Sequence, residues 1–144
     1  MRRVEKKDFE VLFKWRNDED VIKNSREGKG KNLEEFTKWF ESKMNNKFSY
    51  MFILENKNEY IGQINFEIVK GESVINYSVD KNFRNRGFGK ELVKYIEEFI
   101  YDNLEEVKKI AAYINTSNTS SIKIFESLGY TREIDGKYFV KLVK

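Results

Sequence analysis

The chain contains no cysteine and no histidine. The first absence removes disulfides, thiol nucleophiles and thiolate metal ligands, and the second removes imidazole as a base and as the usual zinc ligand. No metal site is expected, and a general base would have to be a carboxylate or a water relay. Proline is also absent, so turns must be made by Gly, Asn, Asp and charged residues. No apolar run approaches the length of a membrane helix, and Met1 to Asp8 lacks the apolar core of a secretory leader. The expectation is a cytoplasmic protein with no membrane partner. Neither charge sign dominates: 27 Lys and Arg face 24 Asp and Glu. Lys and Glu are interspersed along the chain, which argues against a continuous basic patch and against nucleic acid as a partner.

What is present is aromatic. With 40% hydrophobic residues, 12 Phe and 8 Tyr, the chain can build a core despite 35% charged residues. Its 144 residues predict a single domain over 1–144. The most informative stretch is Val79-Asp80-Lys81-Asn82-Phe83-Arg84-Asn85-Arg86-Gly87-Phe88-Gly89-Lys90. A strand-like run, Ser73 to Val79, precedes it. A helical pattern follows, with Leu92, Val93, Ile96, Phe99 and Ile100 on one face. Strand, basic glycine loop and helix together suit a phosphate group. The first helical turn has N–H groups without intrahelical partners, and its dipole favours an anion. Gly87 and Gly89 would let the backbone approach the ligand, and Arg84, Arg86 and Lys90 add positive charge.

The remaining elements follow from local signals. Arg2 to Glu5 fits an edge strand, and Asp8 is placed to cap a helix from Phe9 to about Arg16. Val21 to Ser25 reads as a short helical turn, and Arg26 to Lys31, with Gly28 and Gly30, as a mobile loop. Asn32 and Glu35 form a capping box for a helix carrying Leu33, Phe36, Phe40 and Met44 on one side. Tyr50–Leu54, Tyr60–Val69 and Ser73–Val79 read as a meander. In its second strand Ile64, Phe66 and Ile68 alternate with Gln63, Asn65 and Glu67. Val107 to Ile114 is a strand reached through the helix after the glycine loop, so it should lie parallel to Ser73–Val79. Asn118 caps a helix to Leu128, Gly129 terminates it, and Tyr130–Ile134 and Tyr138–Val143 form a closing hairpin around Asp135-Gly136. The class is α/β, with a mixed sheet of six to seven strands and about four helices on its faces.

Two motifs, in order, carry a resemblance. Arg84-x-x-Gly87-x-Gly89 after a strand resembles the acyl-CoA pyrophosphate loop of the GNAT N-acetyltransferase superfamily. Asn118-Thr119-Ser120-Ser121 leading to Glu126-Ser127-Leu128-Gly129-Tyr130 is similar to that family's second segment. The resemblance covers nearly the whole chain. It implies a GNAT fold, acetyl-CoA as acetyl donor, direct transfer to a primary amine in a ternary complex, and a monomer or homodimer. The residues it implies for the cofactor are the Arg84, Asn85, Arg86, Gly87, Phe88, Gly89 and Lys90 backbone, the Val79 N–H for the pantetheine arm, and Asn118 and Ser121. Asn85 stands where the family often has Gly. Trp15-Arg16-Asn17-Asp18 and Ile61 to Phe66 resemble the branch acting on nucleotide-linked amino sugars, less closely the branch acting on ribosomal-protein N-termini. That places Arg16 and Asn17 at the acceptor, a small-molecule amine, with Gly28 to Lys31 as a lid. Protein N-termini, polyamines and aminoglycoside-like amines are the alternatives within the enzyme class; outside it stand a non-catalytic acyl-CoA-binding domain and, ranked lower, a phosphate- or RNA-binding domain using the basic loop.

The chemistry departs from the family pattern. Phe125 occupies the position of the frequent tyrosine proton donor, and Val74 that of a frequent acid. Tyr77, Tyr130 and Tyr113 are the candidate replacements for the donor. Glu67, on the polar face of its strand, is the candidate base, and Glu72, at a turn, a second.

Overall fold

The computed structural model describes all 144 residues. In chain order the elements are β1 (Arg2–Arg3), α1 (Phe9–Arg16), α2 (Glu19–Asn24), α3 (Leu33–Asn45), β2 (Ser49–Asn56), β3 (Glu59–Val69), β4 (Glu72–Val79), α4 (Phe88–Asn103), β5 (Lys109–Asn115), α5 (Thr119–Ser127), β6 (Thr131–Asp135) and β7 (Phe139–Val143). The strands form one seven-stranded sheet in the order β1-β2-β3-β4-β5-β7-β6. All neighbours are antiparallel except β4 and β5, which are parallel as the intervening helix requires.

Alternation along β3 sorts the two faces. Ile64 and Phe66 turn toward α4 and are 0% and 1% exposed. There they join Leu92, Val93 and Ile96 of α4 and Ile122 and Phe125 of α5 in the main core. The opposite face of β2 carries Met51 and Ile53, packed under Leu12 and Trp15 of α1 and Phe36 and Phe40 of α3. Gln63, Asn65 and Glu67 lie on this second face. Each of the two cores buries several aromatic rings, and large buried side chains of this kind each contribute about 1.5–3 kcal/mol.

Several local expectations change. Val21–Ser25 is part of a fuller helix, α2, because Asp18 accepts the N–H groups of Asp20 and Val21 and starts it two residues earlier. Asp8 does not cap α1; its own backbone is helical and its side chain makes no cap bond. Its carboxylate instead accepts the Glu5 N–H at 2.7 Å and two guanidinium N–H groups of Arg2 at 2.8 and 2.9 Å. Leu33 and Met44 are exposed, so α3 buries Phe36 and Phe40 alone. The loop before α3 is tied down at its feet. Asn17 accepts the Lys31 N–H through Oδ1 (2.8 Å), and Arg16 donates to the Lys29 carbonyl (3.1 Å).

Candidate active site

The loop between β4 and α4 is held from below by Asp80, which is 9% exposed. One Asp80 oxygen accepts the Trp15 indole N–H at 2.8 Å and the other the Asn82 backbone N–H at 2.9 Å. Arg84 donates to the Val79 carbonyl (3.0 Å), to Asp20 (2.8 Å) and to Asp18 (3.1 Å). Its guanidinium is therefore a brace between the loop and the start of α2, and its charge is neutralised there. The carboxylate of Asp18 is pushed up by burial but lies below its ordinary value overall, because Arg84 and the α2 N–H groups hold it ionised.

Asn85 adopts φ +63° and Gly87 φ +85°. Asn is among the residues that tolerate this left-handed region, so the loop keeps its turn without glycine at position 85. A Cβ on Gly87 would meet nothing within 4 Å, so backbone conformation alone explains that glycine. Gly89 is different: a Cβ there would lie 3.0 Å from Tyr77 Cε2 and 3.2 Å from Ile124 Cδ1. A side chain there would have to push Tyr77 or Ile124 aside by a few tenths of an ångström. Arg86 and Lys90 are exposed beside the turn, Arg86 over the Phe83 ring at 5.5 Å.

Beyond the loop the sheet opens. The last β4–β5 pair is Val74 with Ala111; β4 then runs on to Val79 and β5 to Asn115 without contact as a ladder. Asp80 N–H donates to the Ile61 carbonyl at 2.8 Å, which fixes the phase of the β3–β4 ladder. In that phase Tyr77 and Val79 point their N–H groups away from β3 and into the gap. These donors need an extended partner, and the gap is shaped to receive one. Across it Tyr77 Oη lies 2.9 Å from Ser121 Oγ. Asn118 Oδ1 accepts the Ser121 N–H at 3.3 Å, while its amide NH2 group remains available beside the cleft. Phe125 stacks obliquely near Tyr77, with ring centroids 6.0 Å apart.

The gap is one end of a cleft of about 850 Å³. Trp39, Phe36 and Trp15 also line it, together with Arg16, Arg26, Lys31 and Lys43. Glu67 sits on β3 opposite Val74, where the gap begins. Lys43 donates to it at 2.6 Å and Asn46 at 3.1 Å. The Lys43 ammonium holds the Glu67 carboxyl below its usual range, against partial burial, with help from Asn46. Next to it the side-chain amides form a chain: Asn65 donates to Gln63 at 2.9 Å, and Gln63 to Ser78 at 3.1 Å.

The sequence-predicted residues divide accordingly. Val79, Arg84, Asn85, Gly87, Phe88, Gly89, Asn118, Ser121, Tyr77, Tyr113, Glu67 and Arg16 all line the cleft, and Lys90 borders an adjoining hollow with Gly87. Tyr130 does not line it: the residue is 3% exposed, edge-on to Phe125, with burial and the neighbouring Glu97 raising its hydroxyl far above the ordinary phenol value. Asn17 does not reach the cleft either, since its amide is engaged with Phe13 and Lys31. Glu72 is paired with the buried Lys141. Trp15 and Asp80 fall in the two stretches Trp15-Arg16-Asn17-Asp18 and Val79 to Lys90, but no sequence signal assigns the two side chains to each other.

Comparison with known proteins gives consistent results. The model of the acetyltransferase (GNAT) domain family matches residues 1–131. The uncharacterized N-acetyltransferase p20 of Bacillus licheniformis is 26% identical, over 92% of this chain and 79% of its own length. Spermidine N-acetyltransferase from Vibrio cholerae, solved with CoA and spermine, superposes with a TM-score of 0.86 at 15% identity, covering 99% of this chain and 92% of the other. AAC(6')-Ib, solved with ribostamycin and coenzyme A, superposes with a TM-score of 0.84 at 18% identity, covering 99% and 90%.

Proposed function

The chain belongs to the GNAT acetyltransferase family, and from that premise we propose that it acetylates the primary amine of a nucleotide-linked amino sugar by direct attack in a ternary complex. Acetyl-CoA is the donor and supplies the acetyl group as a thioester. The observation that carries this reading is the position of the sheet opening between β4 and β5. It joins an anion-ready helix terminus to a cationic, aromatic pocket.

The residues present fit the donor. The first-turn N–H groups of α4 and the left-handed turn at Asn85 and Gly87 suit a pyrophosphate. The Tyr77 and Val79 N–H groups and the Asn118 amide suit the amide-bearing arm. On the acceptor side Trp39 offers a flat face for a sugar or base, and the Asn65–Gln63–Ser78 chain offers both donors and acceptors. Among the charged residues lining the cleft are five bases (Arg16, Arg26, Lys31, Lys43, Arg84) and three acids (Asp20, Glu27, Glu67), a difference of 5 − 3 = +2. Every one of these carboxylates already has a cationic partner. No carboxylate there is left unpaired for a polyamine or an aminoglycoside, whereas one base, Arg26, has no ion pair and can complement a phosphate-bearing amine.

Two groups can move protons. Glu67, kept ionised by Lys43, accepts the proton of the incoming amine through water. Tyr77, whose hydroxyl burial raises above its ordinary value, stays protonated through the neutral range and donates toward the leaving sulfur in place of the ring at Phe125.

Thiol release measured with UDP-linked amino sugars, spermidine and an aminoglycoside tests the assignment. Turnover is expected with the first group. Tyr77→Phe is expected to lower kcat by at least ~10-fold with acceptor KM nearly unchanged. Turnover confined to the polycations would reject the acceptor, and CoA binding without turnover on any amine would leave a binding domain. An unaltered kcat in Tyr77→Phe would remove the phenol from the mechanism.

A further inference from the structure

We infer that Arg26 selects the acceptor by taking hold of its phosphate, leaving the Tyr113 ring against which it now rests. The inference rests on the reading of this cleft as an acceptor site and adds to it a named specificity residue. Arg26 is the one base lining the cleft that makes no ion pair. Arg16 and Lys31 share Glu27, Lys43 holds Glu67, and Arg84 is braced by Asp18 and Asp20. Arg26 instead lies with its guanidinium carbon 4.8 Å from the centroid of Tyr113. That contact reaches from the segment after α2 to β5, two residues past the last β4–β5 pair.

The surroundings suit a small movement. Ser25 ends α2, donating its hydroxyl to the Ile22 carbonyl at 2.8 Å and accepting the Gly28 N–H at 3.0 Å. Gly28 itself has φ +69° and open space around it. Below the tip, the bonds from Arg16 and to Asn17 fix the other foot of the loop. Glu27 ties the tip to Arg16 and Lys31, so the movement required is a swing of the exposed Arg26 side chain with the backbone in place. Arg26 is exposed, and an exposed cation–ring contact is among the weaker interactions a guanidinium makes. A phosphate offers it a paired, charge-assisted contact that is stronger. Arg26 needs no carboxylate released first, so it is the base in the cleft that an anion can recruit most readily.

The test uses full-length protein saturated with CoA, so that the loop at Gly87 is already occupied, and titrates UDP against uridine by calorimetry. UDP should bind and uridine bind much more weakly. Arg26→Gln should weaken UDP roughly 10- to 100-fold while leaving uridine and CoA affinity unchanged, as expected for loss of a charge-assisted contact. Tyr113→Leu, which removes the resting place, should tighten UDP or leave it unchanged. Equal UDP affinity in wild type and Arg26→Gln, or no UDP binding at millimolar concentration by a protein that binds CoA, would overturn the role of Arg26. Failure to bind CoA would instead bear on the acetyltransferase reading itself.

Discussion

Replacing Asp80 by Asn should damage both stability and CoA binding, although it changes one atom and no volume. The carboxylate accepts two hydrogen bonds from opposite sides, the Trp15 indole N–H at 2.8 Å and the Asn82 N–H at 2.9 Å. An amide can accept only one of them, and its NH2 group must then face the other donor. The loss of one charge-assisted bond and the burial of an unpaired donor together amount to about 2–4 kcal/mol. For a domain of this size that corresponds to a fall in Tm of roughly 5–15 °C. Trp15→Phe removes the same bond from the other side, so the double variant should be less destabilised than the sum by about 1.5–3 kcal/mol. Urea unfolding of the four proteins gives the cycle, and CoA calorimetry gives the functional arm. CoA affinity should fall about tenfold or more, because the loop loses the bond that fixes where it leaves β4. An Asp80→Asn protein within about 0.5 kcal/mol of wild type, with additive effects in the double variant, would refute the reasoning.

Two other substitutions follow from the same geometry. Gly87→Ala should cost about 1–2 kcal/mol of stability through its left-handed backbone. Gly89→Ala should cost less stability, because helix propensity offsets part of the clash, yet impair CoA binding by pushing on Tyr77 at 3.0 Å; unfolding and CoA titrations on both proteins check the contrast. Arg2 and the Glu5 N–H overcome burial and hold Asp8 below its ordinary 3.8, so its contribution is complete above that value and lost as pH falls through the lower folded one. Asp8→Asn should therefore be less stable than wild type by about 2–4 kcal/mol at neutral pH, with the gap closing in the acid range below the ordinary value, as unfolding against pH would show.

Elements whose signals are local are legible in the chain. The capping box at Asn32 and Glu35, the Asn118 cap and the alternation Ile64–Phe66 against Asn65–Glu67 each depend on neighbours a few residues away, and each appears as expected. So does the parallel β4–β5 pair, because a helix between two strands leaves little choice. Asp8 reads wrongly because its decisive partner is the Arg2 guanidinium, and a capping pattern carries no information about a competing charge. Tyr130 is a candidate in sequence as one of three tyrosines that could replace the donor absent at Phe125; only tertiary packing shows it buried, edge-on to Phe125 and near Glu97. Trp15 and Asp80 are separated by 65 residues, and no pattern on either side announces the bond between them.

Arg84 shows how one residue can match a motif and still do different work from the one its charge suggests. Its position after the strand matches the phosphate-loop motif, but its three guanidinium nitrogens donate to the Val79 carbonyl, Asp20 and Asp18. Asp18 also starts α2, accepting N–H groups from Asp20 and Val21 at 3.0 and 3.4 Å. The end of β4, the loop before α4 and the helix that leads into Arg26 therefore share a single fastening. Trp15 and Asp80 add a second between the same two regions. A displacement of the loop must therefore strain α1 and α2. On the proposed reading the cofactor anion would be received by backbone N–H groups, which cost no buried cation, and Arg84, spent on Val79, Asp18 and Asp20, would hold the loop and α2 together.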